Sequence, residues 1–189
     1  MITLKCNFCG ENHISRNCNI EKKTAPLIKE FIGYKMEYFV ENNIKCPNCK
    51  KGKLNILGDN SPSLDCICNN CKYKYEIKSK CLSVNEIPND IFLNHGNYNL
   101  YKKRQSNGLD FIVVIYSVNR IKKSIMIKKV FHIPHKDIIN NNNFQVEKKN
   151  NHCIIKINNY KLYNCYKFKK QIYYDFSKYI NQIINHIRM

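Results

Sequence analysis

The sequence predicts a mixed α/β (α+β) fold, a central mixed sheet flanked by helices, with two small cysteine-rich modules attached. Three observations predict it. Amphipathic helical stretches at 26–42, 92–105 and 170–187 interleave with strand-like runs at 73–79, 111–117, 123–130 and 153–157. The run Phe111-Ile-Val-Val-Ile-Tyr116 is continuously apolar and rich in β-branched residues, as a strand buried on both faces requires. The cysteines, 11 in 189 residues, cluster in C-x-x-C pairs, the spacing of metal sites rather than of a disulfide framework.

Bulk composition narrows the partners. Hydrophobic residues make up 43% of the chain, enough for a core and too many for global disorder. Thirty-two Lys and Arg against 14 acids give a net charge of +18, a field that attracts polyanions. Nucleic acid, DNA foremost, is the expected partner, and compositional bias toward Lys, Asn and Ile is the competing source of that charge. Such a bias would suit a virus-encoded chain. No stretch of about 18 apolar residues occurs, so no membrane span is expected. The N-terminus lacks a signal-peptide core, and an intracellular setting, cytoplasm or nucleus, is the expectation.

Taken from the N-terminus, the first module spans residues 1–24. Cys6, Cys9, His13 and Cys18 follow the C-x2-C-x3-H-x4-C pattern, which resembles the CCHC zinc knuckle but is one residue short before the histidine. The resemblance implies single-strand contacts, with Phe8 as a stacking platform and Lys5 and Arg16 on phosphates. The second domain spans 25–189. Its first helix starts at Pro26, with Leu27, Phe31, Tyr34 and Tyr38 along one face and Glu37 a candidate acid. Cys46-Pro-Asn-Cys49 and Cys68-Asn-Asn-Cys71 then follow. Each pair is a tight turn aiming two thiolates at one point, and two such turns close a tetrahedral structural zinc site. Cys66, alternating with Cys68, reads as a packed core thiol rather than a ligand.

The second cysteine pair lies between Asp65 and the alternating run Tyr73-Lys-Tyr-Glu76-Ile-Lys78. Period two puts Glu76 and Lys78 on one strand face, about 7 Å apart. The zinc turn makes a hairpin that can return Asp65 beside Glu76. Two carboxylates so placed suit a hard cation, and a lysine beside them suits charge developing on phosphate.

The order Asp65, then Glu76-Ile77-Lys78 after a zinc ribbon, resembles the PD-(D/E)xK nuclease superfamily, and more narrowly the catalytic domain of the DpnI-type restriction endonucleases. The stretches that carry this resemblance are Cys46 to Cys49, Asp65 through Glu76-Ile-Lys-Ser-Lys80, Gly96 through Gln105, the strand from Phe111, and Phe131-His-Ile-Pro-His-Lys136. It covers residues 26–160. It implies a restriction-endonuclease-like fold and Mg-dependent hydrolysis of DNA phosphodiesters. It further implies catalytic roles for Asp65, Glu76 and Lys78, with the main chain of Ile77 as a further Mg ligand. Lys80 would touch phosphate. The sequence departs from the family in that the proline of the signature is not adjacent to Asp65, since Leu64 precedes it and Pro62 lies three positions earlier, and a C-terminal winged helix is not expected after Cys165.

The rest of the chain adds charge and closure. Lys102, Lys103 and Arg104 end the predicted helix at 92–105, either gripping phosphates or complementing the helix dipole. The stretch 170–187 reads as a closing helix with Ile172, Phe176, Ile180, Ile183 and Ile184 inward. The competing function is a non-enzymatic zinc-dependent nucleic-acid-binding protein, a transcription or packaging factor, or an inactive nuclease fold.

Overall fold

The computed structural model describes residues 19–58, 64–83, 88–119, 121–140, 144–149, 152–160, 163, 166–168 and 170–188. Helix α1 (Asn19–Asn43) comes first, and strand β1 (Leu54–Ile56) follows. Strands β2 (Cys66–Cys68) and β3 (Lys74–Cys81) form the hairpin of the second cysteine pair. Strand β4 (Ile91–Asn97), helix α2 (Tyr98–Ser106) and strands β5 (Asp110–Asn119) and β6 (Ser124–Ile133) build the middle. Helix α3 (His135–Asn140), strands β7 (Phe144–Lys149), β8 (His152–Ile157) and β9 (Ile172–Asp175), and helix α4 (Ser177–Arg188) complete the order.

Among the described residues, six strands form a mixed sheet in the order β1-β2-β3-β5-β6-β9, and β4-β8-β7 form a second, antiparallel sheet. The pairings β1–β2 and β2–β3 are antiparallel, whereas β3 and β5 run parallel from Tyr75↔Asp110 to Cys81↔Tyr116. A parallel pair needs a crossover, and here the link contains β4 and α2. Strand β5 is buried along both faces. Ile112 and Val114 face a core with Met36, Phe39 and Val40 of α1, while Phe111, Val113 and Ile115 face a core with Leu93, Phe131 and Ile155. This double burial is why β5 reads as an unbroken apolar run. Each fully buried Phe or Val contributes about 1.5–3 kcal/mol.

Several element boundaries differ from the expectations, each for a physical reason. Helix α1 begins at Asn19 rather than Pro26 and so crosses the 24/25 domain boundary; Pro26 lies inside it. The ring of Pro26 removes one donor and the helix continues on both sides. Its buried stripe is Ile32, Met36, Phe39 and Val40. Leu27, Tyr34 and Tyr38 are exposed, and half-buried Phe31 stacks on Tyr179 of α4 at 4.0 Å. The stripe follows i, i+4, i+7, i+8, the spacing of one helix face, and the tyrosines lie off it. Residues 92–97, expected as the start of a helix, lie in strand β4. Ile91 and Leu93 are buried and Phe92 is exposed, a period of two. The closing helix is shorter than 170–187. Ile172 to Asp175 add β9 to the sheet edge beside β6, and α4 starts at Ser177, whose N–H donates to the Asp175 carboxylate at 2.8 Å. Phe176 and Ile180 are buried as expected.

The knuckle residues Cys6, Phe8, Cys9, His13, Arg16 and Cys18 lie outside the described residues.

Candidate functional site

The ribbon begins where α1 ends. Cys46 and Cys49 follow the helix directly, and Lys45 bridges Lys53 across the turn. The two cysteine turns are alike. Lys50 N–H donates to the Cys46 carbonyl at 2.9 Å and Lys72 N–H to the Cys68 carbonyl at 3.1 Å. Lys50 and Lys72, each just after a second cysteine, have positive φ of 61° and 59°. The left-handed corner turns the chain back so that both thiols of a pair face inward.

Cys46, Cys49, Cys68 and Cys71 form one group, their Sγ atoms all within 4.8 Å of one another. Cys46 Sγ lies 3.6 Å from Cys71 Sγ, and Cys49 Sγ 3.7 Å from Cys68 Sγ. Four thiolates bonded at about 2.3 Å to one tetrahedral ion sit about 3.8 Å apart, so these residues fit zinc. The thiols are also surrounded by donors. Gly52 N–H points to Cys49 Sγ at 3.3 Å and Cys71 N–H to Cys68 Sγ at 3.4 Å; the Asn48 and Asn70 side-chain amides point to Cys71 and Cys49. Such contacts favour the thiolate: backbone N–H groups of Gly52 and Lys51 bring Cys49 down to about 5. Burial pushes the Cys46 thiol up to about 11 against a contact from the Tyr75 hydroxyl. Cys66 is fully buried and outside the four-cysteine group, as its reading as a core thiol expects.

Two residues fasten the ribbon to the sheet. The Tyr75 hydroxyl sits 3.1 Å from Cys46 Sγ and accepts from Asn48 N–H at 3.3 Å. Gly52 is required by close approach, because a Cβ there would lie 2.3 Å from Cys68 Sγ.

The same hairpin positions the acids. The register Cys66↔Tyr75 sets Asp65, the next residue, across from Glu76. Asp65 N–H donates to the Tyr75 carbonyl at 3.1 Å, and the Asp65 carboxylate accepts from Ile77 N–H at 2.7 Å. Glu76 is fully buried and forms an ion pair with Lys78. The structure thus brings Asp65, Glu76, Ile77 and Lys78 together. Their mutual field is felt nearby: burial and then the charges of Asp65, Glu37 and Glu76 push the Cys66 thiol far up. Half-buried Glu37 is therefore within electrostatic reach of the same thiol, whereas Glu41 accepts from Ile56 N–H at 3.1 Å and braces α1 to β1.

Lys80 is half-buried two positions beyond Lys78 on β3. Lys102 and Lys103 are exposed on α2, with the Lys102 ammonium 5.2 Å from the Tyr98 ring centroid; Arg104 lies on the same helix. Sequence reasoning missed a second buried carboxylate. Asp110 accepts from the Tyr73 hydroxyl at 3.1 Å and from His135 N–H at 2.7 Å, and pairs with His132 Nε2 at 2.7 Å. In the sequence Asp110 shows only as an acid directly before the apolar run from Phe111, and nothing there marks its distant partners.

A mixed α+β domain with a four-cysteine group able to hold zinc, and with carboxylates gathered on the adjoining hairpin, defines the class. The chain belongs to the DpnI, Dam-replacing family, whose model matches residues 29–163. This membership points to a nuclease with DNA as the implied substrate. No curated protein matches it.

Proposed function

We propose that this chain is a metal-dependent endonuclease that hydrolyses DNA phosphodiester bonds at Asp65, Glu76 and Lys78, on a restriction-endonuclease-like, PD-(D/E)xK core. The observation that carries this reading is the hairpin. It seats Asp65 against the main chain of Ile77, between Glu76 and Lys78. The topology supports it as well: an antiparallel β2–β3 hairpin with the acids, then a crossover to a parallel β5.

The carboxylates of Asp65 and Glu76 and the carbonyl of Ile77 offer an all-oxygen donor set, which fits Mg²⁺. Fully buried Glu76 is already compensated by the Lys78 ammonium, so the pair is held ionised at the site. Bound there, the metal would supply a water of lowered pKa and polarise the phosphate. The protein's own groups do the rest. Asp65 is held in place by the Ile77 N–H, which fixes its carboxylate beside the backbone of the E-x-K stretch. Lys78, half-buried and paired with Glu76, orients the attacking water and offsets charge building on the phosphorane. Lys80 extends the positive charge along β3.

The test is cleavage of plasmid DNA in Mg²⁺. Wild type cuts, and Glu76→Ala and Lys78→Ala cut at least about 100-fold more slowly while keeping their zinc and their circular-dichroism spectrum. Equal cleavage by the three proteins would remove these residues from the mechanism. Tight binding with the plasmid left intact in both Mg²⁺ and Mn²⁺ would replace the enzyme with a binding protein.

A further inference from the structure

We infer that the zinc ribbon is also a docking surface for the DNA backbone, gripping phosphates beside the bond to be cut; this rests on the nuclease reading above. Six lysines decorate the ribbon: Lys45, Lys50, Lys51, Lys53, Lys72 and Lys74, and every one is exposed. Acids are nearly missing from the same stretch. Between residues 44 and 75 only Asp59 and Asp65 occur; Asp59 lies outside the described residues, and the Asp65 carboxylate faces Ile77 N–H.

The fold concentrates this charge. Lys45 and Lys53 are bridged across the first turn. Lys53 N–H donates to the Asn69 side-chain oxygen at 2.9 Å, and the Lys72 ammonium donates to the Asn69 carbonyl at 3.0 Å. The two cysteine turns are therefore joined through Asn69, and their lysines share one corner of the molecule. The charge is not used up by the thiolates, which already receive backbone and asparagine N–H donors. Among the described residues, none of the six lysines makes a salt bridge.

Position gives the surface its purpose. Cys68 lies three residues from Asp65 along one strand, about 10 Å. At 3.4 Å of rise per base pair, that is roughly three base pairs. Phosphates held by the ribbon would sit about three pairs from the phosphate held at Asp65 and Glu76. The ribbon thus fixes the register of the duplex on the site without reading its sequence.

The test is binding, measured apart from cleavage. Fluorescence anisotropy of a labelled duplex of about 30 base pairs would be followed from low to high salt without added divalent metal. The proteins are wild type and a variant carrying Lys50→Asn, Lys51→Gln, Lys53→Gln and Lys72→Asn, with asparagine at the two positive-φ corners because it tolerates that conformation. Zinc content and the circular-dichroism spectrum confirm an intact ribbon. Every phosphate that the variant leaves unneutralised takes about 0.9 off the slope of log K against log salt. The slope should fall by about 2–4, with weaker binding to every duplex sequence alike. An unchanged slope overturns the inference, as does a wild type that does not bind. Failure of the nuclease reading appears separately, as intact plasmid in Mg²⁺ with the wild-type binding slope in place.

Discussion

Gly52 shows how much a single position can decide in the ribbon. A Cβ there would meet Cys68 Sγ at 2.3 Å and the Asn70 Cβ at 2.9 Å, so even alanine must push the second cysteine turn away from the first. Gly52→Ala is expected to cost about 1–3 kcal/mol and to lower zinc content, measured by thermal melting and metal analysis. Asp110 is the second such residue. It is 4% exposed and joins Tyr73 from the ribbon, His132 from β6 and the backbone at the start of α3. Asp110→Ala leaves those donors without their acceptor. The expected loss is about 2–3 kcal/mol, a fall in melting temperature of roughly 5–10 °C for a chain of this size. A variant that melts with wild type would show that the network carries no stability. Neither residue stands out from the sequence, because each matters through a contact made by a distant segment.

At the scale of the element, the β2–β3 hairpin is where two of the four thiols that fit zinc and the acids meet. Cys68 and Cys71 lie on its turn, and Asp65 and Glu76 lie on its two arms. This much was legible from spacing alone: paired C-x-x-C turns, a period of two, and an acid before the first arm. Other elements were not. Residues 172–175 looked like helix because Ile172, Phe176 and Ile180 recur at helical spacing, yet the open edge of β6 draws Ile172 to Asp175 into β9. Residues 91–97 became a strand for the same reason, since β8, far downstream, offers a pairing partner. A partner edge is a tertiary fact that local periodicity does not carry. A hairpin shared by metal and acids predicts that Cys68→Ser loses zinc, melts early and cuts poorly, all in one protein. Zinc binding contributes on the order of 10 kcal/mol to a site of this kind.

At the scale of the whole molecule, one sheet joins the ribbon at one edge to helices on one face and a second sheet on the other. The overall class and the buried β5 were visible in the sequence, because a strand covered on both faces must be apolar throughout. The second sheet was visible only at β8, expected as 153–157: β4 read as helix, and β7, mostly polar, gave no strand signal although its Phe144 is buried in the second core. A net charge of +18 sets the outer boundary of behaviour: binding to nucleic acid should weaken steeply with salt whatever the sequence bound. The central claim is that zinc, hairpin and carboxylates work as one unit. The most direct measurement is plasmid cleavage in excess Mg²⁺ while a zinc-selective chelator removes zinc stepwise, with zinc content read from the same samples. Cleavage falling in parallel with zinc, and returning when zinc is restored to refolded protein, is the predicted result. Full cleavage after the zinc has gone would contradict it.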